Sequence, residues 1–228
     1  NTEGYSRQRA LLGTQTPSFS GSNYFGSGVQ ITSVERVMDS FLVDQQRIYT
    51  SQESQQDTYL TFAKQADDLL GSPQLGLNTG LEEFFNAVHG VANEPTSIAA
   101  REVMLSQGDL LANRFNVLDQ QMQDFDKQVD GVITGAVADI NVISQGIADL
   151  NKVIISNTSS SGGPPNDLLD KRDQLVNELS NYVSVSTLKE SNGSMSVFIG
   201  SGQALVTGGS SIPLSVIDDP STTPLRKM

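Results

Sequence analysis

Residues 111–154 read LANRFNVLDQQMQDFDKQVDGVITGAVADINVISQGIADLNKVI. The apolar residues Leu111, Phe115, Leu118, Met122, Phe125, Val129, Val132, Ala136, Ile140, Ile143, Ile147, Leu150 and Ile154 recur at steps of four and three. Such steps draw one stripe along a helix, the heptad pattern of helices packed side by side. Two steps of four follow each other at Val132, Ala136 and Ile140, a stutter that relaxes left-handed supercoiling. Break signals bound the stripe at Ser97 and in the Ser, Gly and Pro cluster at 158–165. The pattern predicts one helix over 97–157, a rod of roughly 90 Å at about 1.5 Å per residue. A bend is expected near Gly131 and Gly135, because glycine costs ~1 kcal/mol relative to alanine inside a helix.

A second stripe precedes it: Val34, Met38, Phe41, Gln45, Ile48, Gln52, Gln55, Tyr59, Phe62, Ala66 and Leu69. Ser33 offers an N-cap, and Gly71 followed by Pro73 a stop. Between the two, Thr79 and Glu82 are spaced as a capping box before the apolar face Leu81, Phe84, Phe85, Val88 and Ala92. After Pro164-Pro165, Asn166 is the expected N-cap of a helix reaching about Asn181, with Asp167 placed for the dipole. The period then falls to two. Val183, Val185 and Thr187 precede an Asn192-Gly193 hairpin signal, and Met195, Val197 and Ile199 alternate after it. Gln203–Thr207 and Ile212–Ile217 are two further expected strands.

Residues 1–32 are punctuated too often by Gly and Pro for a helix. The expected organisation is an extended arm over 1–32 with a strand near Val29–Thr32, an elongated helical domain over 33–182, and the start of a β domain over 183–228. The fold class is mainly α, an elongated bundle of heptad-patterned helices followed by a small β region, α+β overall. Two long helices and one short one leave much apolar surface uncovered. A further helix, from outside this stretch or from a partner, is expected to cover it.

Composition removes several functions from consideration. Among 228 residues there is no Cys, one His and no Trp, and the net charge is −12. No disulfide framework or thiolate chemistry is open to such a chain, and a metal site or catalytic triad would hang on His89 alone. An acidic surface repels phosphate backbones, so no nucleic-acid partner is expected. No run of about 18 consecutive apolar residues occurs, so no membrane span is expected either. Residues 37–157 hold 17 acidic and 6 basic groups, which we read as a solvated coat on the helices. His89 sits at the edge of an apolar face, where a boundary role is expected. Asp124, Asp126 and Asp130 imitate a calcium loop, but the sixth position is Val129 and the twelfth Gly135. The adjacent pairs Asp67-Asp68 and Glu82-Glu83 point apart on a helix. No active site and no cofactor are expected.

Asn1-Thr2-Glu3-Gly4-Tyr5-Ser6-Arg7-Gln8 resembles the opening motif of bacterial flagellar axial proteins, with Glu3 where that motif usually has Pro. Gly26–Arg36 is similar to the segment leading into their first long helix. Glu94-Pro95-Thr96-Ser97-Ile98-Ala99-Ala100-Arg101, Pro165–Asp173 and Gly200–Val206 resemble signatures of the flagellar hook-associated protein 1 family, at the hook–filament junction. The resemblance runs in order from residue 1 to about 209. It is weak over 210–228.

The resemblance implies a structural subunit, not an enzyme, self-assembled into the axial tube. Its implied partners are other copies of itself, the hook protein, the second junction protein and an export chaperone for the full-length protein. It further implies an extracellular location reached by flagellar type III export without a cleaved signal peptide. Family members carry additional terminal helices, so the chain is expected to be the core of a longer protein. Asn1, Thr2, Gly4, Tyr5, Ser6 and Arg7 are the expected assembly residues, with Gly4 and Tyr5 alternatively shaping a turn. Other readings are a second junction protein or flagellin-like subunit, or an unrelated elongated binding or adhesion module.

Overall fold

The structure is a computed structural model that describes residues 4–20, 23–71, 77–160, 165–219 and 226–227. In chain order it has β1 (Arg7–Thr14), β2 (Ser18–Ser20), β3 (Asn23–Phe25), β4 (Val29–Val37), α1 (Ser40–Gly71), α2 (Leu77–Asn93), α3 (Ile98–Ser160) and α4 (Asn166–Leu179). Then follow β5 (Val185–Lys189), β6 (Met195–Ile199), β7 (Gln203–Thr207), β8 (Ser210–Ser211), β9 (Asp218–Asp219) and β10 (Arg226–Lys227). Among the described residues, four helices, one very long, and a small antiparallel β region make the chain mainly α. It divides into two compact units, one of residues 1–55 and 135–216, the other of 56–134 and 217–228.

In the first unit, β5-β6-β7-β8 form an antiparallel sheet in sequence order, with Val185 opposite Ile199 and Lys189 opposite Met195. Its inner face meets the second half of α3 and the apolar side of α4. Ile140, Ile143, Ile147, Val176, Leu179, Met195, Val197, Leu205 and Val206 form one buried cluster. Each such side chain removed from water contributes roughly 1.5–3 kcal/mol. The hairpin signal holds in a modified form: Gly193 alone takes a positive φ, +89°, and its N–H donates to the Glu190 carbonyl.

Asparagine side chains stand in for missing strand partners. Asn151 is fully buried; it donates to the carbonyls of Met195 (2.8 Å) and Gly208 (2.7 Å) and accepts from Met195 N (3.1 Å). Asn141 brackets Leu214, accepting from its N–H and donating to its carbonyl at 2.8 and 2.9 Å. That bracket explains why the strand expected at Ile212–Ile217 is absent. Pro213 has no N–H to give a ladder, and the next residue finds its partners on a helix.

The second unit holds the rest of α1, α2 and the first half of α3. Phe62 and Phe125 meet edge to face at 6.0 Å, and Gln128 donates to Gln65. Gly108 faces the Phe84 ring, and Arg114 pairs with Glu83 at 3.2 Å. Leu60, Leu70, Phe85 and Val117 are exposed.

Several expectations need correcting. The strand expected near Val29–Thr32 is present as part of β4, and among the described residues of the arm β1 pairs antiparallel with it, Arg7 opposite Val37 and Thr14 opposite Val29, with a bulge between Leu11 and Leu12. Val34 therefore belongs to a strand, and α1 starts at Ser40. Its cap is Asp39, which accepts from the N–H groups of Phe41 (3.0 Å) and Leu42 (3.3 Å), and not Ser33. Thr79 lies inside α2, one turn later than a cap would. The cap of α4 is Pro165, whose carbonyl accepts from Leu168 and Leu169 N. Asn166 is drawn away by the Val34 carbonyl, to which it donates at 2.8 Å. By contrast α3 is one helix, continuous through Gly131 and Gly135. It is also long and apolar enough, with a mean hydropathy of 1.3 in one window, to cross a membrane by length and composition. Sequence runs alone did not reveal this, and its Ile140, Ile143, Ile147 and Ile154 are core residues of the first unit.

Candidate functional site

The expected assembly motif enters the first unit at a buried ionic clamp. Of its residues, Asn1 and Thr2 lie outside those described. Gly4 has φ +79°, a conformation that favours glycine, and Gln174 stands where a side chain would point. Ser6 gives Asp170 both its N–H (3.2 Å to Oδ2) and its hydroxyl. Tyr5 is 60% exposed, and Arg7 is exposed on β1. The structure thus separates the motif: Ser6 turns inward, while Gly4, Tyr5 and Arg7 are exposed.

Arg36, from the end of β4, completes the clamp. Its Nε donates to the Ser6 hydroxyl at 3.1 Å and lies 2.9 Å from Asp170 Oδ1. Its Nη2 donates to Asp173 and to Met38 Sδ. Asp170 and Asp173, three residues apart, share one face of α4. Arg47 of α1 approaches from the other side, donating to Asn177 Oδ1 at 2.7 Å and to Asp44 at 3.2 Å, with Asp173 3.7 Å away. Arg172 of α4 turns to the sheet, donating to Asn151 Oδ1 (2.9 Å) and the Gly193 carbonyl (2.8 Å).

Charges balance closely here. Arg36, Arg47 and Arg172 face Asp170, Asp173 and the half-exposed Asp44. Burial lowers the Arg47 pKa from the ordinary arginine value, and the nearby Asp173 and Asp44 oppose that shift. Arg172 is lowered by burial too; Asp173 opposes, while Arg36 and Arg47 push the same way. Such a cluster is weak evidence for net stability but strong evidence for geometry, because removing one partner strands a buried charge. Chemically it can hold four chain segments in one arrangement: the opening motif at Ser6, the end of β4, α1 and α4.

A groove of about 770 Å³ opens beside it, lined by Gly4, Tyr5, Met38, Gln46, Gln174 and Asn181 among others. His89 lines a smaller surface hollow on α2 with Glu82 and Phe85. Asp124 lies on α3 and accepts from Gln120 and Lys127, contacts that hold it below the usual carboxylate range. Sequence reading missed Arg36, Arg47, Asp170 and Asp173 as a site. The available signal was the resemblance itself: Ser6, Arg36 and Asp170–Asp173 come from three of the segments that carry it.

Comparison with known proteins bears out the family resemblance. The profile described as the flagellar hook-associated protein FlgK helical domain matches residues 63–228. This chain belongs to the FlgK family. Flagellar hook-associated protein 1 of Salmonella typhimurium is 33% identical over 98% of the chain, and that of Escherichia coli is 31% identical over 98%. The Bacillus subtilis protein of the same name is 28% identical over 96%. The solved structure of the flagellar hook junction protein FlgK from Burkholderia pseudomallei superposes with a TM-score of 0.72 at 34% identity, covering 78% of this chain and 31% of that one. The chain spans 41% and 42% of the lengths of the Salmonella and E. coli relatives. Within the FlgK family match lie α2, α3, α4 and the β5–β8 sheet, so the family profile covers both sides of the core and the α4 half of the clamp.

Proposed function

We propose that this chain is a structural, non-catalytic part of the bacterial flagellum at the hook–filament junction, built into the axial tube by contacts with copies of itself. Hook protein and the second junction protein are its axial neighbours. It reaches the cell exterior by flagellar type III export, escorted as part of the full-length protein by an export chaperone and without a cleaved signal peptide. The observation that carries this reading is the similarity to hook-associated protein 1 over 98% of the chain. That relationship favours this member over a second junction protein or a flagellin-like subunit.

The parts divide accordingly. The helices transmit load along the tube axis, and the sheet at 185–211 begins a region that projects outward. Asn1, Thr2, Gly4, Tyr5, Ser6 and Arg7 are the assembly residues; Ser6 fixes the motif on the clamp, while the exposed Tyr5 and Arg7 meet neighbouring subunits. An antibody raised against this chain, gold-labelled on isolated flagella, is expected to mark one band at the boundary of hook and filament. Label spread along the filament, or confined to the cell body, would overturn the proposal.

A further inference from the structure

Met38 lies between the end of β4 and the start of α1, and its sulfur belongs to the clamp. Arg36 Nη2 donates to Met38 Sδ at 3.2 Å, and among the described methionines this is the only sulfur that faces a cation. A thioether is a weak acceptor, so a charged donor is spent there on little. The rest of Arg36 is fully employed. Its Nε serves Ser6 and Asp170, and one of the two Nη2 hydrogens serves Asp173. The other Nη2 hydrogen is left for the sulfur.

The sulfur's residue is reachable from two sides. Met38 is half-buried and lines both the groove beside Gly4 and a second cleft of about 300 Å³ bounded by Val43, Asp44, Arg47 and Leu188. A hydroperoxide is small enough to enter either space. The other described methionines fail one condition or the other. Met195 is 1% exposed, while the half-buried Met104 and the exposed Met122 have no donor on sulfur.

We propose that Met38 is an oxidation site of the folded chain, with a hydroperoxide as oxidant, and that Arg36 holds the resulting sulfoxide. The sulfur attacks the peroxide, and an S–O bond forms as the O–O bond breaks. Sulfur gives up two electrons, and the departing hydroxide takes the proton of the transferred hydroxyl to leave as water. A weak acceptor is thereby replaced by a polar oxygen facing a guanidinium, and charge-assisted hydrogen bonds are about twice as strong as neutral ones. Ser6, Asp170 and Asp173 keep their own donors, so nothing is given up in exchange. Sulfoxide formation commonly disrupts packed methionines. At Met38 it tightens the clamp.

The test treats the purified chain, Met38→Leu and Met38→Gln with hydrogen peroxide, maps the added oxygen by peptide mass spectrometry and follows unfolding in urea. Met38→Leu offers Arg36 no acceptor, and Met38→Gln offers a carboxamide oxygen without oxidation. Oxidation of the remaining methionines is common to all three. In the parent chain Met38 should gain one oxygen, and the folded-to-unfolded ratio, relative to that of Met38→Leu treated alike, should rise about tenfold. Met38→Gln should show the raised ratio before any peroxide is added. Met38 left unmodified once Met122 is oxidised would overturn the site. A relative ratio that stays level or falls, on oxidation or in Met38→Gln, would overturn Arg36 as the holder of the product.

Discussion

Arg36 Nε lies 2.9 Å from Asp170 Oδ1 while the same carboxylate accepts from Ser6, so one side chain of α4 holds both the opening motif and the end of β4. Removing Asp170 leaves the buried Arg36 with one of its two carboxylate partners, Asp173. Asp170→Ala is expected to cost about 3–5 kcal/mol of unfolding free energy, the usual result of stranding a buried charge. Asp170→Asn, which still accepts from Ser6, should cost less. Urea denaturation of the two variants measures the difference, and equal, small losses would contradict the clamp.

Asn141 carries a second prediction. Asn141→Ala leaves the Leu214 N–H and carbonyl without their partners, at a cost of about 1–3 kcal/mol. The sensitive readout is amide hydrogen exchange: Leu214 should lose its protection first. Unchanged exchange there would mean that the 212–217 segment is held by other contacts.

Gly4 tests the geometry of the opening motif. Gly4→Ala must place a side chain at φ +79°, costing about 1–2 kcal/mol. The nearest obstacle, Gln174 Oε1 at 2.9 Å from an added Cβ, is the end of a flexible side chain and can move. Gln174→Ala should therefore fail to rescue Gly4→Ala. Full rescue would show that space, and not backbone conformation, sets the requirement.

Tyr182 supplies the pH dependence. Its hydroxyl donates to Asp139 at 3.1 Å, and that hydrogen bond, with some burial and the charges of Asp139 and Glu178, raises its pKa above the ordinary tyrosine value. The folded state thus favours the protonated form. The stabilisation is complete below the unfolded tyrosine pKa, about 10, and is lost as pH rises through the raised folded value. The stability gap between the chain and Tyr182→Phe should be constant at neutral pH and vanish in strong alkali. The ultraviolet titration of Tyr182→Phe, subtracted from that of the parent chain, should leave a transition above the ordinary tyrosine value.

Much of the helical scaffold was legible because α3 repeats its stripe over dozens of residues, and no competing period interrupts it. The start of α1 was not legible. Val34 and Met38 happen to continue the heptad spacing backwards, yet pairing with Arg7–Ala10 makes that segment a strand. Tertiary pairing overrode local pattern there, as it did at Asn166, where a good N-cap residue reaches across to β4. The acid-rich segment proved a poor guide to structure: Asp124 and Asp149 are solvated with lysine partners three residues on. The two carboxylates of the clamp, Asp170 and Asp173, lie beyond it. Ser6, Arg36 and Asp170 are distant in sequence and share no period, so only the fold brings them together.

The junction role is tested most directly by deleting the gene that encodes this chain and viewing the cells by electron microscopy. The account predicts hooks of normal length that carry no filaments, with filaments restored by the wild-type gene. Filaments of normal number on the deletion strain would contradict it.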